Sequence, residues 1–184
     1  MSWSFVCLAS VASIPWRNGG GVTRELLAWP GPGDWQVRLS VADVQADGPF
    51  SRFPGIERWF AVLDGAGVVL RLGDRFQRLT PASEAFRFDG GELVDCALTA
   101  GATIDFNLMA APARARMRRV RGSLPVLTSA PAIVAVYGHA HGARIMLGNE
   151  AIEVPAAHLA WRLQDGPLSG VVQGQDALWM EALR

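Results

Sequence analysis

The chain has 184 residues, half of them hydrophobic, with seventeen basic and seventeen acidic side chains and a formal net charge of zero. That length and composition support one large or two small folded domains with a filled core, and they exclude a disordered chain. Charge neutrality argues against a nucleic-acid partner, whose footprint is a basic excess concentrated on one face. All seventeen basic residues are arginine. Two cysteines, Cys7 and Cys96, are too few for a disulfide framework or a cysteine zinc site, and they fit a reducing compartment. The residues before Arg17 carry no basic group, unlike a secretory signal. No apolar run approaches the roughly 20 residues that span a bilayer. The expected setting is cytoplasmic, with no membrane partner.

In chain order, the densest chemistry comes first. Trp16-Arg17-Asn18-Gly19-Gly20-Gly21 places three consecutive glycines before Val22-Thr23-Arg24-Glu25-Leu26-Leu27, a strand-like run. The glycines predict either a tight strand entry or a nest of backbone N–H groups aimed at an anion. Trp35 to Val41 alternates, with Trp35, Val37, Leu39 and Val41 on one face and Gln36, Arg38 and Ser40 on the other. Asp47-Gly48-Pro49-Phe50 and Phe53-Pro54-Gly55 are turn signals. Trp59 to Leu63 then reads as an apolar strand, turned by Asp64-Gly65 into a hairpin with Val68 to Leu72. Thr103 to Leu108 alternates again, with Asp105 and Asn107 opposite Ile104, Phe106 and Leu108. The basic cluster from Arg114 to Arg121 reads as a solvated linker.

No segment before the C-terminus holds a helical period, so the chain reads as all-β. An internal echo refines this. Ala61-Val62-Leu63, Leu72-Gly73-Asp74 and Pro81-Ala82 reappear as Ala135-Val136-Tyr137, Leu147-Gly148-Asn149 and Pro155-Ala156, about 75 residues later. A duplicated jelly-roll unit accounts for that spacing. The expected domains are residues 1–112, a first barrel with the ligand pocket, and residues 113–184, a second, degenerate one.

Three separated stretches carry a family likeness: Trp16 to Glu25, Gly48-Pro49-Phe50-Ser51-x-Phe53-Pro54-Gly55-x-Glu57-Arg58, and Asp105-Phe106-Asn107-Leu108-Met109. In this order they resemble the motifs of the HutD/Ves family, bacterial bicupins associated with histidine utilisation. The resemblance implies two small jelly-roll β-barrels packed together, a cytoplasmic setting and a role in moderating histidine catabolism through a small metabolite. It implies no established enzymatic activity, and no residue is assigned a catalytic role.

No metal or other cofactor is expected. Metal-binding cupins present a His-x-His pair and a glutamate, whereas Ser51 to Arg58 contains no histidine, and Phe86 falls near the position of the later one. His139-Ala140-His141 aligns with a glycine turn, and His158 with a strand end. A nucleophile elbow and a phosphate loop are also missing.

The polar faces point instead to a small carboxylate, because a guanidinium fork makes paired charge-assisted hydrogen bonds to one. The candidate ligand-binding residues are Arg17, Asn18, Arg24, Glu25, Arg38, Ser40, Phe53, Arg58, Asp105 and Asn107. Asp105 or Glu25 is expected to brace an arginine, and Arg58 could instead only close the barrel mouth by pairing with Glu57. N-formylglutamate and urocanate are the ligands the resemblance suggests. The alternative is a metal-independent isomerase, lyase or hydrolase with Glu25 or Asp105 as acid/base. A third reading is a protein-interaction module with an exposed patch at Ala177-Leu178-Trp179-Met180. A homodimer is left open as a partner.

Overall fold

The computed structural model describes residues 2–128 and 131–184, and among these there is no α-helix. The strands, in chain order, are β1 (Ser4–Cys7), β2 (Ile14–Pro15), β3 (Gly21–Trp29), β4 (Val37–Val44), β5 (Gly48–Pro49), β6 (Glu57–Asp64), β7 (Val68–Leu72), β8 (Arg75–Leu79), β9 (Phe86–Asp89), β10 (Val94–Leu98) and β11 (Thr103–Ala110). They continue with β12 (Ala115–Thr128), β13 (Ala132–Gly138), β14 (Ala143–Leu147), β15 (Glu150–Val154), β16 (His158–Gln164) and β17 (Leu168–Leu183). The chain divides into two compact units, Ala12–Ala113 and Met1–Val11 with Arg114–Arg184. Each is a cupin-type barrel.

In the unit Ala12–Ala113, a six-stranded sheet runs β2-β3-β4-β11-β6-β9 and a four-stranded sheet runs β5-β10-β7-β8. The expected hairpin between β6 and β7 does not form, because β6 pairs with β11 and β9 while β7 pairs with β10 and β8. The Asp64-Gly65 turn hands the chain from one sheet to the other. Gly65 and Gly67 both have positive φ, and a Cβ at Gly65 would come 2.5 Å from the carbonyl oxygen of Ala102, so the crossing tolerates no side chain there. Apolar residues alternate inward along these strands, and Phe60, Val62, Val68, Leu70, Leu72, Leu79, Phe88, Val94 and Cys96 form a common core.

The other unit is built on one seven-stranded sheet, β1-β16-β13-β17-β14-β15 with β12 also on β17. The long strand β17 pairs with β12 over most of its length, with β14 through its first half and with β13 through its second. One strand therefore does in this unit what β10 and β11 do separately in the other.

The expected division after residue 112 needs two corrections. Residues 1–11 go with the C-terminal unit, because Ser4–Cys7 pairs antiparallel with His158 to Trp161 on the edge of that sheet. The arginine cluster is strand, not linker: Ala115 and Met117 are buried while Arg116 and Arg118 are exposed. Period-2 alternation satisfies a sheet as well with arginine as with any other polar residue. A register shift between Val120 and Gly122 breaks the alternation, and Arg119 is buried against Asp176 at 2.6 Å.

The proposed interaction patch is also corrected. Ala177, Leu178, Trp179 and Met180 are all nearly inaccessible within β17, which is paired there on both edges. No helix of the described residues is long and apolar enough to cross a membrane.

Candidate functional site

The first unit encloses a cavity of about 510 Å³. Its floor is one face of the six-stranded sheet. Cross-strand register puts Arg38, Ser40 and Ala42 of β4 opposite Met109, Asn107 and Asp105 of β11, which in turn face Arg58, Phe60 and Val62 of β6. Directly opposed residues share a face, so these nine side chains all point inward. Trp16, Arg17, Asn18, Phe50, Ser51 and Phe53 complete the wall from the segments before β3 and β6.

Arg58 is the central group. Only 5 % of it is exposed, its Nη2 donates to Asn107 Oδ1 at 2.7 Å, and Nη1 makes a long contact of 3.4 Å to the Ser51 carbonyl. Its Nε has no partner. The guanidinium lies 4.9 Å from the Phe50 ring centre, 5.1 Å from Phe88 and 5.9 Å from Phe53, a cage that attracts the cation without neutralising it. Among the described residues no carboxylate lies within ion-pair distance of it; Glu57, the partner the sequence offered, pairs with Arg87 on the other face. Burial, together with repulsion from Arg38, pulls the Arg58 pKa down to about 10. The group stays charged at neutral pH, but in a site that penalises its charge.

Arg38 differs because its Nε is bonded to Glu25 at 2.6 Å. Glu25 therefore braces an arginine as expected. Its pairing opposite Ser40 puts it on the cavity face. Arg24, by the same register, opposes Val41 and so lies on the face turned away from the cavity. This corrects its place among the candidates: neighbours on a strand cannot both point inward unless a bulge separates them, and the bulge in β3 falls after Glu25.

Asn18 and Arg17 line the exposed rim. The triple glycine does not form an anion nest. The N–H of Gly19 donates to the Trp16 carbonyl and that of Gly20 to Asn18 Oδ1 at 3.0 Å, so the loop consumes its own donors. Gly19 has φ of 71°, and a Cβ on Gly21 would collide with the Asp43 carbonyl oxygen. The glycines shape a tight entry to β3 that carries Trp16 over the cavity, where its Nε1 donates to Thr23 Oγ1 at 2.7 Å.

Asp105 is wholly buried. Its Oδ2 accepts from the Thr103 hydroxyl at 2.8 Å and its Oδ1 has no partner. Burial pushes its pKa up to about 7; the Thr103 hydrogen bond opposes the rise, and Asp43 adds to it. It does not brace an arginine. It lies beside the cavity floor, across from Ala42, and outside the lining itself.

Seven of the ten candidates thus line one cavity: Arg17, Asn18, Arg38, Ser40, Phe53, Arg58 and Asn107. Sequence reasoning missed Trp16, Phe50, Phe60 and Met109 as walls. Alternation from Arg58 would have found Phe60, and alternation from Asn107 would have found Met109. The cavity offers guanidinium, amide and hydroxyl groups with aromatic walls and no imidazole, a set suited to an anion and poorly suited to a divalent transition metal. His139 and His141 lie in the turn between β13 and β14, and His158 opens β16.

Comparison with known proteins agrees with this architecture. The chain matches the HutD family over residues 8–180. A protein of Pseudomonas putida, named as an uncharacterized 21.2 kDa protein in the hutC 3' region, is 37 % identical over 141 residues, 74 % of each chain. The solved structure of HutD from Pseudomonas fluorescens SBW25, in a formate condition, is similar with a TM-score of 0.85 at 31 % identity, covering 100 % of both chains. A cupin 2 conserved barrel domain protein from Leptotrichia buccalis shares the fold alone, with a TM-score of 0.56 at 9 % identity over 98 % of this chain and 96 % of that one.

Proposed function

The chain belongs to the HutD family, which is linked to histidine-utilisation genes, and from that premise we propose that its first barrel binds a small carboxylate metabolite of histidine degradation and thereby moderates the pathway in the cytoplasm. One observation carries the reading: Arg58 is a buried guanidinium on a cavity wall with no carboxylate to neutralise it. A buried cation left unpaired costs several kcal/mol, roughly 3–5 when a partner is removed from such a pair. A ligand carboxylate would supply the missing charge, with Arg38 and Arg17 adding attraction and Asn18 and Ser40 neutral hydrogen bonds. Trp16, Phe50 and Phe53 suit the apolar or planar remainder of a molecule the size of N-formylglutamate or urocanate, and the cavity falls within the usual range for small ligands, about 300–1,000 Å³.

Isothermal titration against histidine-pathway acids tests this. At least one acid gives a saturable heat that Arg58→Ala abolishes and Arg38→Ala weakens; silence across the panel rejects the metabolite. The second reading, a metal-independent isomerase, lyase or hydrolase, draws on Asp105, whose carboxyl titrates in the range useful to a general acid or base. Incubating the protein with each acid and following it by NMR decides it, and unchanged spectra at high protein concentration reject turnover.

A further inference from the structure

Asp105 is a second unusual group in the same barrel, and the carboxylate-binding reading leaves it without a task. It is fully buried, one of its oxygens has no partner, and among the described residues its carboxyl accepts a single hydrogen bond, from the neutral hydroxyl of Thr103. Among the described residues no basic side chain lies within ion-pair distance of it. It shares a strand face with Asn107, two residues on, and Asn107 holds Arg58. That separation is about 7 Å along a strand. Ala42, directly across from Asp105, lines the cavity.

The groups packed around Asp105 set its charge. On β4 the nearest titratable group is Asp43, whose charge opposes ionisation. On β10 it is Cys96, whose thiol is pushed up to about 12 by burial and by the charges of Asp105 and Asp47, so it stays neutral near pH 7. On β6 the facing residue is the apolar Val62, and Arg58 lies beyond it on the same face. Among the described residues no element delivers a counter-charge to the carboxyl. An ionised Asp105 would therefore place a negative charge close to where the Arg58–Asn107 pair would receive an anion. In a low-dielectric interior such a repulsion is poorly screened.

We propose that Asp105 couples anion binding to proton uptake: an anion at Arg58 and Asn107 is held together with a neutral Asp105 carboxyl, and ionisation of that carboxyl weakens the hold. This rests on the carboxylate-binding reading and adds a proton to it. The carboxyl titrates at about 7 in the free protein, and a bound anion raises that value further. Affinity is therefore greatest below pH 7. It falls as pH rises, by at most about tenfold per pH unit for one coupled proton.

N-formylglutamate is a suitable probe, since its carboxyls are already ionised above pH 6 and its formamide does not titrate. Calorimetry at pH 6, 7 and 8, in buffers of different ionisation heat, yields both Kd and the protons taken up. The wild-type protein is expected to take up a fraction of a proton at pH 7 and to bind several-fold more weakly at pH 8 than at pH 6. Asp105→Asn is expected to bind at all three pH values with no uptake. Carbon-13 NMR of the Asp105 carboxyl in wild-type protein gives a reading independent of whether the variant folds, with a midpoint near 7 that moves up when the probe is added. Binding with no proton uptake, a pH dependence that survives Asp105→Asn, or an Asp105 midpoint near 4 overturns the coupling and leaves the ligand reading intact. Failure of every histidine-pathway acid to bind overturns both.

Discussion

The two barrels repeat one plan and fill it differently. The pair Val62–Asp105 in the first recurs as Val136–Trp179 in the second, and Leu70–Cys96 recurs as Ile145–Val172. Where the first barrel has a buried acid beside a cavity, the second has an indole, packed with Val120, Val134, Val136, Ala160 and Val172 into a continuous apolar core. Each unit also buries an arginine. Arg119 meets Asp176 at 2.6 Å, whereas Arg58 meets only an amide, a carbonyl and three aromatic rings. The same fold therefore buries one arginine against a carboxylate and another without one. Unpartnered buried atoms occur in both units, at Arg58 Nε and Asp105 Oδ1 in the first and at Trp3 Nε1 and Arg162 Nε in the second, and those of the first lie on or beside the cavity.

Trp179→Ala should produce the largest stability loss, about 3–5 kcal/mol by urea unfolding, because it empties the packed barrel. A loss below about 1 kcal/mol would mean that the second barrel is not held by this core. Arg58→Met should do the reverse in the first barrel. Replacing a buried, unneutralised cation with an apolar side chain of similar volume leaves the unliganded protein as stable or more so, while carboxylate affinity drops at least about 100-fold. Equal destabilisation of both barrels would erase the contrast between them.

Asp105 sharpens the comparison through pH. Its folded-state pKa, about 7, lies above the ordinary carboxylate value. Between pH 4 and pH 7 the folded state therefore binds more protons than the unfolded one. Stability from this group is full below the ordinary value and is lost as pH rises through 7. Thermal melts should show wild type losing on the order of a few kcal/mol across that window, and Asp105→Asn should flatten the profile. A rising profile for wild type that the variant leaves unchanged would contradict the sign. The smallest effect belongs to Arg24→Ala. It lies on the face turned from the cavity, and calorimetry should find carboxylate affinity within about twofold of wild type.

Much of the fold could be read directly from pattern. The Leu72-Gly73-Asp74 and Leu147-Gly148-Asn149 turns identify the duplication, and both central glycines have φ of 58° in the structure. Alternation in Arg38-Leu39-Ser40-Val41 assigned the cavity face of β4 correctly. What alternation could not supply was which sheet a strand joins. Trp59 to Leu63 and Val68 to Leu72 look like a hairpin because sequence proximity and a glycine turn favour one, yet pairing with the distant β11 and β10 prevails. Arg24 failed for a local reason: alternation puts it and Glu25 on opposite faces, and only the register with β4 selects the face that meets the cavity. That Arg58 lacks a carboxylate partner was not legible, since Glu57 is its neighbour in sequence but projects from the opposite face.

What Arg58 holds decides the ligand reading. A crystal structure of the protein with N-formylglutamate or urocanate at millimolar concentration tests it most directly. It should show a ligand carboxylate oxygen about 3 Å from the Arg58 guanidinium, with Trp16, Phe50 and Phe53 around the rest of the molecule. A carboxylate bound elsewhere while Arg58 keeps only Asn107 and Ser51 would contradict it.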